Sequence, residues 1–292
     1  MKILVFDIGG TSIKYGVCVN NVLENVKETP TNAILGGRHI VDTLISLIKE
    51  QKDYDAIGIS TAGQVNSKEG YIIYANQNIP NYTGTQIRQE LENLFHVPVT
   101  VENDVNAAAM GEAIYGAGRD YDQFLMLTYG TGVGGASVHN KEVYYGSSYS
   151  ASEFGAIITH SDVRLAGNDY FDGCYEKYAS TTGLVKMAME YNPELNNGRK
   201  IFDNINNPEV MNIIDRWVDE IMLGLATLTH IYNPPCIILG GGIMVQPIIL
   251  EKINEKKSRF IMPSFSHVNI VPATLGNSAG LLGAYYLASK NI

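Results

Sequence analysis

The sequence predicts an α/β protein of two lobes, and three observations carry that expectation. Its 292 residues exceed one ordinary small domain and suit two. Short apolar runs of strand length alternate with longer stretches of helical periodicity. A unit of strand, Gly/Thr turn and strand at the start recurs near the middle, as though each copy opened a lobe.

Taken in order, residues 2–6 read as a short buried strand and Asp7-Ile8-Gly9-Gly10-Thr11 as a tight turn. Residues 12–19 form a second strand and a third runs to Glu28; Asn20-Asn21 between them suits a hairpin, because Asn tolerates positive φ. Residues 38–49 place Ile40, Val41, Leu44, Ile45 and Ile48 at helical spacing. A buried strand is expected over 56–60, a helix over 84–95, a strand over 97–101 and an Ala-rich helix over 106–115. The second copy follows: a strand over 124–128, the glycine cluster Gly130-Thr131-Gly132-Val133-Gly134-Gly135, and a strand over 136–139. A long helix from Pro208 to Tyr232, strands over 236–239 and 268–271, and a helix over 279–288 complete the chain. The boundary is placed between Gly116 and Asp122, which gives lobes of 1–118 and 119–292.

Composition narrows the function. Hydrophobic residues make up 45% and charged residues 17%, the balance of a packed globular protein. A net charge of −9 and the lack of any dense Lys/Arg segment argue against a nucleic-acid surface. The longest basic run, Lys256-Lys257-Ser258-Arg259, reads as a solvated helix C-terminus. Cys18, Cys174 and Cys236 lie far apart with no CxxC pairing, which points to a reduced, cytoplasmic setting. No secretory leader precedes the first strand, and no apolar run is long enough to span a bilayer.

The glycines carry the chemistry. Gly130, Gly132 and Gly135 satisfy G-x-G-x-x-G, but a dinucleotide fingerprint must open a helix. Ala136-Ser137-Val138-His139 and a turn at Asn140-Lys141 instead predict a hairpin. Such a turn can still hold phosphate, through backbone N–H groups and the Thr hydroxyl, or it can be an ordinary hairpin turn. Asp7 tips the balance for the first copy. A carboxylate ending an apolar strand is costly unless it is solvated, paired or near a cation, and one beside phosphates suits Mg²⁺ held through water.

These motifs resemble the ROK sugar kinases, within the actin/Hsp70/hexokinase (ribonuclease H-like) superfamily. Asp7-Ile8-Gly9-Gly10-Thr11-Ser12-Ile13-Lys14 is similar to the first phosphate motif and Glu102-Asn103-Asp104-Val105-Asn106-Ala107-Ala108 to the sugar and catalytic segment. Residues Gly130 to Gly135 resemble the second phosphate motif, Leu239-Gly240-Gly241-Gly242-Ile243 the adenosine-side loop, and Asn277 to Ala284 the closing helix. The resemblance implies a two-lobed kinase binding ATP, with its Mg²⁺, and a sugar in the interlobe cleft. Asp7, Gly9, Gly10, Thr11, Lys14, Gly130, Thr131, Gly132, Gly134, Gly241 and Gly242 would then hold the nucleotide. Gly63, Asn103, Asp104, Glu153 and Glu176 would face the sugar, and Asp104 would be the base. Chemistry agrees, since phosphoryl transfer to a hydroxyl needs a carboxylate to orient and deprotonate it. A helix N-cap is the other reading of Asp104.

One departure stands out. The family's common pattern has a His and three Cys that bind a structural zinc. Ala156 stands at the His position, Gly167 and Asp169 at two Cys positions, and Cys174 alone remains. A structural zinc site takes four donors, so no zinc is expected. Tyr170, Phe171 and Tyr175 are expected to pack in its place. Because that His contacts the sugar's anomeric end, its loss favours a β-glucoside phosphorylated on the 6-hydroxyl; glucose and N-acetylmannosamine are the alternatives. A sugar-sensing repressor of the same family carries a helix-turn-helix ahead of this fold, and here the first strand begins at once. A structural or chaperone-like ATPase of the superfamily has no use for Asn103-Asp104 with Glu153. The Pro208–Tyr232 helix and the resemblance together point to a homodimer.

Overall fold

The computed structural model describes residues 1–292. The chain divides into two compact units. One comprises Met1–Asp120, Ser137–Ala151 and Asn277–Ile292, and the other Tyr121–Ala136 and Ser152–Gly276. Two segments of the first unit, Ser137–Ala151 and Asn277–Ile292, therefore lie beyond the expected cut at 118/119.

The first unit holds β1 (Lys2–Ile8), β2 (Ser12–Val19), β3 (Val22–Pro30), α1 (Gly36–Lys49), β4 (Ala56–Thr61), β5 (Gln64–Asn66), β6 (Tyr71–Tyr74), α2 (Ile87–Phe95), β7 (Val99–Asn103) and α3 (Asp104–Tyr115). Its main sheet has the order β3-β2-β1-β4-β7, antiparallel across β1–β2–β3 and parallel across β1–β4–β7. Asn20 and Asn21, at φ 49° and 68°, make the β2–β3 turn in the left-handed conformation expected of them. Side chains alternate along β1. Leu4, Phe6 and Ile8 join the core with Ile40, Val41, Leu44 and Ile48 of α1, whereas Ile3 and Val5 pack with Leu281 and Tyr285 on the other face. By the same period Asp7 falls on the face of Ile3 and Val5.

The later elements are β8 (Gln123–Tyr129), β9 (Val133–His139), β10 (Glu142–Val143), α4 (Ser161–Ala166), α5 (Tyr175–Ala179), α6 (Thr181–Tyr191), α7 (Gly198–Asp203), α8 (Pro208–Tyr232), β11 (Cys236–Gly240), α9 (Pro247–Phe260), β12 (Asn269–Pro272) and α10 (Ala279–Ser289). The second sheet, β10-β9-β8-β11-β12, repeats the order of the first, antiparallel at β9–β10 and parallel across β8–β11–β12. The glycine cluster thus enters a hairpin, turned at Asn140 and Lys141 with φ 53° and 59°, and opens no helix. α8 starts on a side-chain cap, Asn207 accepting from Glu209 N–H, with Pro208 in the first turn. It buries Trp217 completely, and the indole N–H donates to Ala179 O and Ser180 O. Lys252 and Lys256 of α9 grip Asp215 of α8 at 2.8 Å each. No helix is long and apolar enough to cross a membrane.

Several boundaries differ from the sequence expectation. β1 runs through Asp7 to Ile8, because Asp7 pairs with Lys14 of β2 and Ser60 of β4 in the ladder. α3 starts at Asp104, two residues before the expected Asn106, because Asn103 caps it. α2 starts at Ile87, since Gly84 lies at φ 83°. Val133–Gly135 belong to β9, so the free turn is only Gly130–Gly132.

Candidate active site

In the first unit the sheet register gathers the candidates. Asp7 lies opposite Ser60, and Thr61 opposite Asn103, so the carboxyl ends of β1, β4 and β7 line up. Ligands of open α/β sheets bind outside those ends. Asn103 organises the group there. Its Oδ1 accepts from Val105 N–H and Asn106 N–H, both at 3.0 Å, which starts α3. Its Nδ2 donates to Gly63 O and to Asp104 Oδ1, both at 2.9 Å. Gly63 can present that carbonyl because it sits at φ 98°, a conformation that disfavours side chains. Asp104 Oδ1 also accepts from Val105 N–H at 2.9 Å. Because Asn103 already caps two N–H groups, Asp104 is not needed as the helix cap.

Asp7 and Asp104 form an electrostatic pair. Burial, then the Asp7 carboxylate, push Asp104 up to about 7, against hydrogen bonds from Val105 and Asn103 that lower it. Burial also raises Asp7, opposed by the Ser60 hydroxyl at 2.6 Å and the charge of Lys14. Two neighbouring carboxylates make a negative site in which a divalent ion is favoured. Mg²⁺ needs no all-protein cage, being held by one or two carboxylates, waters and phosphates, so Asp7 fits that part. No group of three or more His, Cys, Asp or Glu is arranged to bind a metal on its own. The turn beside Asp7 leaves Gly10 and Thr11 exposed, pinned by Thr31 Oγ1 donating to Gly9 O at 2.6 Å.

A pH dependence follows. If Asp104 is the base that the resemblance implies, it must be ionised to act, and below neutrality kcat/KM for the sugar at low nucleotide should fall about tenfold per pH unit, with its limb near 7. Asp7→Asn removes the like charge that raises Asp104 and should move that limb to lower pH. A flat profile from pH 5 to 8 would contradict the assignment.

The second unit holds the other candidates. A cavity of about 700 Å³ is lined by Gly130 and Thr131 after β8, by Gly242 and Ile243 after β11, and by residues of α6 and α7. It therefore unites two glycine motifs remote in sequence. Gly241 reaches φ 102°, and a methyl group there would lie 2.2 Å from Tyr129 O. Gly130 O accepts from Thr181 N–H at 3.0 Å, which ties the turn to α6. Gly134 lies within β9. Thr181, Thr182, Val185, Asn197, Arg199 and Phe202 also line the cavity and escaped the sequence reading, although Asn196-Asn197-Gly198 is a turn signal that could have marked it.

Glu153 and Glu176 come together in this unit. Glu176 Oε2 lies against the glycine turn, 3.4 Å from Val133 N, and a methyl group on Gly132 would lie 2.5 Å from it. Burial chiefly raises the Glu176 carboxyl, and the Glu153 charge adds to the rise. The segment before Glu176 is held only in part as expected. Tyr175 is buried against Gly224, whereas Tyr170 is 64% exposed with its ring against that of Phe171. His160 adds a further contact, stacked on Tyr178 at 3.7 Å with Nε2 3.5 Å from Glu220. Cys174 Sγ donates to Ala156 O and Tyr170 O, each at 3.4 Å.

The duplicated α/β sheets, with an Asn-Asp pair and paired glycine turns at strand ends, define the actin/hexokinase/Hsp70-like class. Comparison with known proteins narrows it. The ROK family profile matches residues 3–291, and the chain belongs to the ROK family as a carbohydrate phosphotransferase. A β-glucoside kinase of Listeria monocytogenes is 32% identical, over 98% of this chain and 97% of its own. Among solved structures, a Listeria monocytogenes protein proposed to be an N-acetylmannosamine kinase superposes with TM-score 0.91 at 30% identity, covering 100% of this chain and 99% of its own. A ROK glucokinase of Streptomyces griseus, in complex with glucose and AMPPNP, superposes with TM-score 0.85 at 29% identity, covering 99% of this chain and 100% of its own.

Proposed function

We propose that this protein transfers the γ-phosphoryl group of ATP to a hexose hydroxyl, with Asp104 as the base. The observation that carries the reading is Asp104 itself, a half-buried carboxylate at a helix start, held on one oxygen and with its pKa near 7. A base tuned to neutrality is what general-base catalysis at cellular pH requires. Asn103 and Gly63 position the acceptor sugar beside it, and Glu153 and Glu176 bind further hydroxyls. Gly130–Gly132 and Gly241–Gly242, with the cavity they line, take the nucleotide. Gly9, Gly10, Thr11 and Lys14 approach its phosphates. Asp7 would hold the accompanying Mg²⁺ through water, and the ion would supply charge neutralisation at the phosphates. Asp104 orients the hydroxyl and accepts its proton as the oxygen attacks phosphorus in line.

The Streptomyces griseus complex with glucose and AMPPNP supports both substrate classes. Glucose and N-acetylmannosamine, phosphorylated at the 6-hydroxyl, are the leading acceptors. A second reading, a β-glucoside, is favoured by Ala156, a small exposed residue at the position where the family resemblance implies a His against the sugar's anomeric end. Sugar-dependent ADP release with glucose, N-acetylmannosamine and cellobiose tests all three. Release with at least one is expected, and none with any hexose or hexoside would overturn the function.

A further inference from the structure

Glu102, immediately before the Asn103-Asp104 pair, is only 2% exposed and has no part in the chemistry derived above. Burial raises its carboxyl, and hydrogen bonds from Tyr145, Asn106 and Asn103 oppose the rise. A buried carboxylate persists only where it is well partnered, and this one is. Its Oε1 accepts from Asn103 N–H at 2.8 Å and from Asn106 Nδ2 at 3.1 Å. Its Oε2 accepts from the Tyr145 hydroxyl at 2.7 Å. Glu102 thereby grips the backbone of the residue whose side chain holds Asp104, and also the first turn of α3.

Tyr145 reaches Glu102 from a distant stretch of sequence, Ser137–Ala151, that belongs to the first unit. That stretch is fixed at several points. Lys141 Nζ donates to Ala113 O, Gly118 O and Arg119 O, at the far end of α3. Ser150 Oγ donates to Gln64 Oε1 at 3.0 Å, one residue beyond Gly63. The Tyr145 ring lies 5.6 Å from that of Tyr149. One segment thus holds α3 at both ends and touches the strand after the Gly63 loop.

We infer that Tyr145 and Glu102 are positioning residues that hold Asn103, and through it the Asp104 carboxylate, in the geometry for proton transfer. The inference rests on Asp104 being the base. Small displacements of such a group are costly, of the order of 10²-fold in rate for about 1 Å.

The test compares Glu102→Ala, Glu102→Gln and Tyr145→Phe with Asp104→Asn by steady-state kinetics and thermal melting. Glu102→Ala should lower kcat by about 10- to 100-fold with KM for ATP unchanged, because the nucleotide does not meet this group. Tyr145→Phe, which removes one hydroxyl, should lower kcat by about 3- to 10-fold, and the double variant should be no worse than Glu102→Ala alone. Glu102→Gln should retain most activity. Its amide oxygen still accepts from Asn103 and Asn106, and its NH₂ donates to the Tyr145 hydroxyl, which turns to accept. A Gln variant as impaired as the Ala variant would show that the charge or proton of Glu102 acts directly, and would overturn the positioning role. So would Ala and Phe variants that melt lower yet keep kcat while folded. If Asp104→Asn is inactive in those same assays, only the clamp has failed; if Asp104→Asn keeps its kcat, the base assignment falls and the clamp with it. Tyr145→Phe keeps the ring and its packing, so the test survives even if Glu102→Ala does not fold.

Discussion

Asp104→Asn is expected to lower kcat by about 10²- to 10⁴-fold while the protein still binds sugar and melts within a few degrees of wild type. The amide oxygen can keep the hydrogen bonds from Asn103 Nδ2 and Val105 N–H, so the helix start loses little. The Asn103 side chain, accepting from both Val105 and Asn106, carries the cap. What the substitution removes is the group able to accept a proton from the attacking hydroxyl. The experiment therefore separates the two readings of Asp104. A large fall in kcat with unchanged melting identifies a base, whereas normal turnover with a lower melting temperature identifies a structural carboxylate.

Gly283→Ala is expected to destabilise the first unit by about 3 kcal/mol, the upper part of the overpacking range, and to lower the melting temperature by about 5–10 °C. A methyl group at this position of α10 would lie 1.7 Å from the backbone oxygen of Ala107 in α3. Neither partner can yield locally, because the methyl is fixed directly to one helix backbone and the oxygen belongs to the other. The same interface repeats the pattern at Gly111, where a methyl would lie 2.3 Å from Ala279 O. Ala107 is one turn beyond Asp104, so α3 must shift as a body and carry the base with it. Activity measured well below the melting point should consequently fall as well. A variant with unchanged melting and turnover would show that the two helices separate without cost. Gly280 serves a related end, since a methyl there would lie 2.7 Å from Asp7 Oδ1.

The glycine motifs, the apolar strands and the Asn103-Asp104 pair were readable in the chain because each is a local property. A Gly-rich turn between two strands needs no distant partner to be recognised, and the apolar run over residues 2–6 already marks a buried strand. From such signals the sequence determined the α/β class, the duplicated strand-turn-strand units, the hairpin after Gly130 and the carboxylates worth testing. Other features depend on residues far apart meeting in space. Asp7 read as the end of a strand in a turn, but the register with Lys14 and Ser60 makes it a ladder residue with a raised pKa. Asp104 could be named from sequence, yet its poise near 7 comes from burial and from Asp7, 97 positions earlier in the numbering. The cavity beside Gly130 needs α6 and α7, whose Thr181 and Arg199 carry no mark of a site until the fold brings them to one cavity with Gly242. Tyr145 and Glu102 meet only because the stretch after β9 belongs to the first unit rather than to the one it follows in sequence. Local sequence determined which groups are present and how each strand and helix begins. Tertiary structure alone decided their burial and their partners, because desolvation and hydrogen bonding between distant residues exist only once the chain has closed on itself.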